Sequence, residues 1–177
     1  MTSYPNWFWY PSTSAPPKWV EQITDAFRNS QESIDSAEIQ GLKSDGVLAE
    51  ISNGLEQIGF EIETGKSKKE KILRPVLFGE NGIPRVTYEV DGVHDELGIV
   101  LEVEAARGWM GNALYRDLIR TSLIVDAQYL VLGMMNEYRY GNNATNRSYD
   151  QARDQLDAIY ASGRLKLPFE GILLIGY

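Results

Sequence analysis

Ile99-Val100-Leu101-Glu102-Val103-Glu104-Ala105 is the stretch on which the fold turns. Side chains alternate along a strand, so Ile99, Leu101 and Val103 face one way and Glu102 and Glu104 the other. Downstream, Asn112 is a plausible N-cap and Ala113 to Val125 reads as a helix. Gln128 to Met134 is nearly all apolar and reads as a central strand. Strand, helix and strand in this order predict a parallel, right-handed crossover. A strand that leads straight into a crossover helix lies inside the sheet. Two carboxylates at i and i+2 on such a strand repel each other, and burying them is unfavourable unless something positive compensates.

More acid lies upstream. Arg85 to Val93 reads as a strand after the turn Asn81 to Pro84, and His94 to Gly98 as a hairpin turn. Thr87, Glu89, Asp91 and Val93 share a face of that strand, so the hairpin sets either Asp91 or Glu89 opposite Glu102, depending on register. Three or four carboxylates then converge with no lysine nearby. Hard oxygen ligands of this kind suit magnesium or manganese. A metal held this way polarises a phosphoryl oxygen and acidifies bound water, which is the physical case for metal-dependent phosphodiester hydrolysis.

The remaining elements flank this core. Pro17 to Asn29 has helical apolar spacing, and Ser30 to Gln40 reads as a weaker, polar helix. Ser44 or Asp45 caps a helix that ends at Gly59 and carries Val47, Leu48, Ile51, Leu55 and Ile58 on one face. Phe60 to Thr64 reads as a first strand, and Lys66 to Lys71 as a basic loop. Asn136 to Ser148 is a polar loop, Tyr149 to Ala161 a helix and Phe169 to Tyr177 a last strand. Residues 1–17 form an aromatic and proline-rich arm, with Tyr4, Trp7, Phe8, Trp9 and Tyr10 set among prolines. Such an arm either packs over the core or docks a partner protein or a second copy.

The order helix, three strands, crossover helix, strand resembles the PD-(D/E)xK nuclease superfamily. Its motif is matched by Val90-Asp91 before the hairpin and by Leu101-Glu102-Val103-Glu104 on the third strand. The resemblance implies an α/β, restriction-endonuclease-like core (αβββαβ) in which a central mixed sheet is flanked by helices. Residues 18–177 would be one such domain, with its core at about 45–135. The family's last motif position is usually lysine, and here it is Glu104. The chain is thus similar to the Glu-x-Glu variant of type II restriction enzymes of the BamHI and BglII kind. The resemblance implies magnesium-dependent cleavage of DNA in restriction, defence or repair; no recognition element stands out in the sequence, so RNA and single-stranded DNA stay open as substrates. Asp91 and Glu102 would ligate the metal, Glu104 would orient or deprotonate water, and Glu50 would be the helix glutamate that the family often adds. The alternative is a nuclease fold that has lost catalysis and binds protein or DNA.

Composition bounds these readings. The 177 residues include no cysteine and a single histidine, His94, which excludes disulfide scaffolds, thiolate sites and His-rich zinc sites. His94, in a turn, is expected to be exposed and idle. No stretch approaches a membrane span, the N-terminus lacks signal-peptide character, and a cytoplasmic location is expected. The net charge of −8 disfavours nucleic acid in general. Yet residues 1–65 hold ten acids against three bases, so most of the acidity lies outside the motif region. Lys68, Lys69, Lys71, Arg107 and Arg116 are the basic side chains available for phosphate contacts. Trp109 is expected to cap the core.

Overall fold

The computed structural model describes residues 4–65, 67, 69–105, 112–140 and 144–177. Lys68, Arg107 and Trp109, singled out above, lie outside these residues.

The aromatic arm begins the sheet. Strand β1 (Asn6–Tyr10) alternates Trp9 toward one side and Tyr10 toward the other, and both are buried. Helix α1 (Trp19–Asn29) follows, then a single turn α2 (Gln31–Ile34). The polar helix expected to Gln40 stops there because the Asp35 carboxylate takes the Ala37 amide at 3.0 Å. Helix α3 (Ser44–Glu56) buries Val47, Leu48, Ile51 and Leu55. The first expected strand shrinks to β2 (Glu61–Ile62).

The middle of the chain departs from expectation. Ile72–Phe78 forms a strand, β3, where none was expected, and it pairs antiparallel with β4 (Pro84–Val90). The expected strand of residues 85–93 therefore breaks at Asp91. Its first part leaves the sheet in this two-stranded ribbon. Its second part, β5 (Gly92–His94), pairs antiparallel with β6 (Ile99–Glu104). His94 lies in β5 and is buried, not exposed in a turn, with the Phe60 ring edge-on at 5.4 Å. The reversal into β6 is made by Asp95–Leu97 and by Gly98 at φ 62°. A side chain at Gly98 would also stand 2.8 Å from the Asp126 carbonyl.

The crossover joins parallel strands as expected, but Asn112 stands at φ 62° and makes no side-chain capping hydrogen bond among the described residues. Helix α4 (Ala113–Ser122) carries β6 over to β7 (Tyr129–Met134), which is parallel to it. A small hairpin, β8 (Tyr138–Tyr140) and β9 (Ala144–Asn146), occupies the expected polar loop. Helix α5 (Ser148–Ser162) leads to β10 (Gly171–Gly176), parallel to β7. The central sheet runs β1-β10-β7-β6-β5-β2, with β1 antiparallel on β10.

Alternation on the sheet builds two apolar layers. Ile99, Leu101, Val103, Val131, Leu173 and Ile175 face α1 and α3. Leu130, Leu132, Met134, Ile172 and Leu174 face α4 and α5. The result is a central mixed sheet with helices on both faces. Among the described residues no helix is long and apolar enough to cross a membrane.

Candidate functional site

The apolar face of β6 is turned to α1 and α3, so Glu102 and Glu104 project to the α4 side. The pairing Gly92 with Leu101, carried one residue further, sets Asp91 against Glu102. Asp91 is also the point where β4 and β5 part. Past Leu101 the edge of β6 on this side has no strand partner in the register, and the Val103 amide donates instead to Asp91 Oδ2 at 2.7 Å. A carboxylate thus stands where a strand carbonyl would otherwise be. Glu89 lies outside this arrangement: it is in the ribbon, 57% exposed, with the Lys71 ammonium 3.8 Å away.

Helix α4 lies over this face of β6. Its inward stripe is Leu114, Asp117, Leu118 and Thr121, all buried. Asp117 is 2% exposed, and its Oδ2 has no hydrogen-bond partner among the described residues. Arg116 donates from Nε to Asp117 Oδ1 at 2.9 Å and from Nη2 to Glu104 Oε1. At the end of β6 the buried Tyr177 hydroxyl donates to the Glu104 carbonyl at 2.8 Å. Arg120 sits over the Tyr88 ring and donates to the Glu89 carbonyl at 3.3 Å, tying α4 to the ribbon.

Burial governs the electrostatics. It pushes Asp91 from 3.8 up to about 6, with the charges of Glu63 and Asp117 adding to the rise and the Val103 amide and Lys71 opposing it. Glu102 is pushed well above the ordinary range, by burial first and then by Asp91 and Asp117, with Arg120 opposing. Glu104 rises from 4.5 to about 7 through burial and Asp117, opposed by Arg116. Asp117 is raised by burial, against Arg116 and Arg120. Four carboxylates therefore feel one another in a partly dry pocket.

Of the residues expected at the site, Asp91, Glu102, Glu104 and Arg116 come together. Glu50 does not join them: it is exposed on α3, on the other side of the sheet, where its carbonyl takes the Ser30 hydroxyl. Lys69 is exposed in the loop before β3. Lys71 corrects the expectation of no lysine nearby, because its ammonium holds Glu63 at 2.6 Å and its charge reaches Asp91. Asp117 and Glu63 were missed. An acid on the apolar stripe of the 113–125 helix was a readable signal for Asp117. Glu63 had none, since its approach depends on β2 pairing with β5.

The carboxylates form a set of hard oxygen donors with raised proton affinity, which suits a divalent cation in donor chemistry. Among the described residues, however, no three histidine, aspartate or glutamate side chains stand together in a way that could hold a metal ion.

No family model matches the chain, and no curated protein matches it. A solved structure does: the restriction endonuclease BglII complexed with a DNA 16-mer superposes with a TM-score of 0.57 at 14% identity, over 98% of this chain and 78% of that one. The central mixed sheet flanked by helices is thus a restriction-endonuclease-like fold.

Proposed function

We propose that the chain is a divalent-metal-dependent nuclease that hydrolyses phosphodiester bonds of DNA. One observation carries the reading. Asp91 stands against Glu102 where β5 stops covering β6, with Glu104 one pleat further on, within a fold similar to that of a restriction endonuclease. Asp91 and Glu102 are the residues to hold magnesium or manganese. The Val103 amide fixes one oxygen of Asp91 and leaves the other for the ion. When bound, the ion supplies charge stabilisation at the phosphoryl group and an acidified water.

Glu104 lies one pleat further along β6 and receives the proton of the attacking water. Burial brings its pKa to about 7, a value suited to a base near neutrality. Activity accordingly rises with pH across the neutral range. Exposed Lys69 is available to the DNA backbone.

The test is incubation of plasmid, linear and single-stranded DNA and of RNA, with and without magnesium or manganese, beside a Glu102→Ala control. Metal-dependent cleavage that the mutant lacks supports the enzyme and sorts its substrates. Cleavage that survives in the mutant assigns the activity elsewhere. Duplex binding without cleavage of any substrate returns the reading to a non-catalytic binding module.

A further inference from the structure

Arg116 is half exposed yet held at two points. Its Nε binds Asp117 and its Nη2 binds Glu104. A guanidinium carries five N–H donors in a planar fork, so among the described residues two are engaged and three remain. Among the described residues, the other cations near the carboxylates are committed differently. Lys71 is fixed on Glu63 at 2.6 Å, and Arg120 is spread between the Tyr88 ring and the Glu89 carbonyl. Arg116 alone among these has its fork beside Glu104 with donors to spare. Asp117 is the unusual partner. A carboxylate on the inward stripe of a helix, with one oxygen unpartnered, is unfavourable for stability unless it serves the group it binds.

We propose that Arg116 grips the non-bridging oxygens of the scissile phosphate, and that Asp117 is a positioning residue that aims its guanidinium. The inference rests on the nuclease reading above. Arg116 forms and breaks no bond. The water oxygen bonds to phosphorus as the bond from phosphorus to the departing sugar oxygen breaks. Glu104 receives the proton of the water, and the departing oxygen takes a proton from solvent. A planar fork matches two phosphoryl oxygens, which an ammonium point charge does not. Asp117, enclosed beneath α4, reaches the phosphate only through Arg116, although its charge also raises the proton affinity of Glu104.

Two measurements on the full chain test this. The first is anisotropy of a short labelled duplex with calcium across a salt series. The second is single-turnover cleavage of that duplex with magnesium. Arg116→Ala is expected to shrink the slope of log affinity against log salt by about 0.9, the loss of one phosphate contact. It should also slow turnover by about 100-fold or more, as for loss of a donor to the transition state. Arg116→Lys keeps the slope and loses most of the rate. Ethylguanidinium restores Arg116→Ala but not the double variant with Asp117→Asn, and that double variant is no slower than Arg116→Ala alone. Arg116→Lys keeps a cation beside the buried Asp117, so that variant decides the question even where Arg116→Ala or Asp117→Asn melts early.

An unchanged slope and rate in Arg116→Ala, with wild type cleaving, overturns the proposal and leaves the nuclease reading intact. Additive effects of Asp117→Asn and Arg116→Ala overturn the positioning role. A wild type that neither binds nor cleaves the duplex overturns both readings together.

Discussion

Raising the pH in chelator should destabilise this protein through the range where most proteins are steady. The cause is the carboxylate pocket. Asp91 is carried from 3.8 to about 6 and Glu104 from 4.5 to about 7. A folded-state pKa above the unfolded one means that the native state binds the extra proton. The stabilisation is therefore complete below the unfolded values and is lost as pH rises through the folded ones. Each decade of proton affinity corresponds to about 1.4 kcal/mol, so either carboxylate alone contributes about 3 kcal/mol. Both feel the same Asp117, so their effects overlap, and about 3 kcal/mol is the total expected between pH 5 and pH 8. For a chain of this size that is a fall of ~6–12 °C in melting temperature. The assay is urea unfolding at pH 5, 6, 7 and 8 in chelator at constant ionic strength, repeated with Glu104→Gln. The variant should flatten the profile, because its amide does not titrate. A wild-type stability that is level or rises from pH 5 to pH 8 refutes the electrostatic account of the site.

Magnesium or manganese at pH 8 should raise the melting temperature of wild type, and Glu102→Ala should abolish that rise; an equal rise in both would place the ion elsewhere. Trp9→Ala should cost about 3–5 kcal/mol in chemical denaturation, because the ring is 6% exposed and packs edge-on against Trp19 at 5.6 Å. Removal of residues 1–17 should for the same reason unfold the sheet edge; a truncated chain with wild-type stability would contradict the register of β1. Gly171→Ala should destabilise by more than about 2 kcal/mol, since the added carbon would stand 2.1 Å from the Trp9 ring, and thermal melting would show it.

The parts of the fold legible from sequence are those whose signal is local. The alternation at 99–105 assigns the faces of β6 correctly because Leu101 and Val103 interleave with Glu102 and Glu104, with Val100 the one buried apolar residue on the acidic face. The crossover follows because α4 and β7 have the periods of a helix and a buried strand. Strand β3 was invisible for two reasons. Pro75 interrupts it, and Leu73, Leu77 and Phe78 stay exposed, so no alternating burial marks it. The break at Asp91 left no trace either. Val90-Asp91-Gly92-Val93 keeps a strand-like pattern while the chain passes from one sheet to another. Asp117 carried a signal in its place on the apolar stripe, but beside Arg116 it reads as half of a surface ion pair until α4 is docked. The burial of His94 depends on Phe60 and Gly59 reaching it from the end of α3, a meeting that no window of sequence contains.

The ribbon of β3 and β4 rests on a small apolar cluster made by Ile72, Val90, Val93, Val100 and Ile124. The central sheet is clamped between two much larger ones. The ribbon is therefore less protected than the central sheet, and its amides should exchange with solvent by local opening before those of β7 and β10. Asp91 is the joint between the two units. Any ligand that binds Asp91 only with the ribbon closed must lower the population of that opening, and anything that clamps the ribbon must tighten the ligand by the same factor.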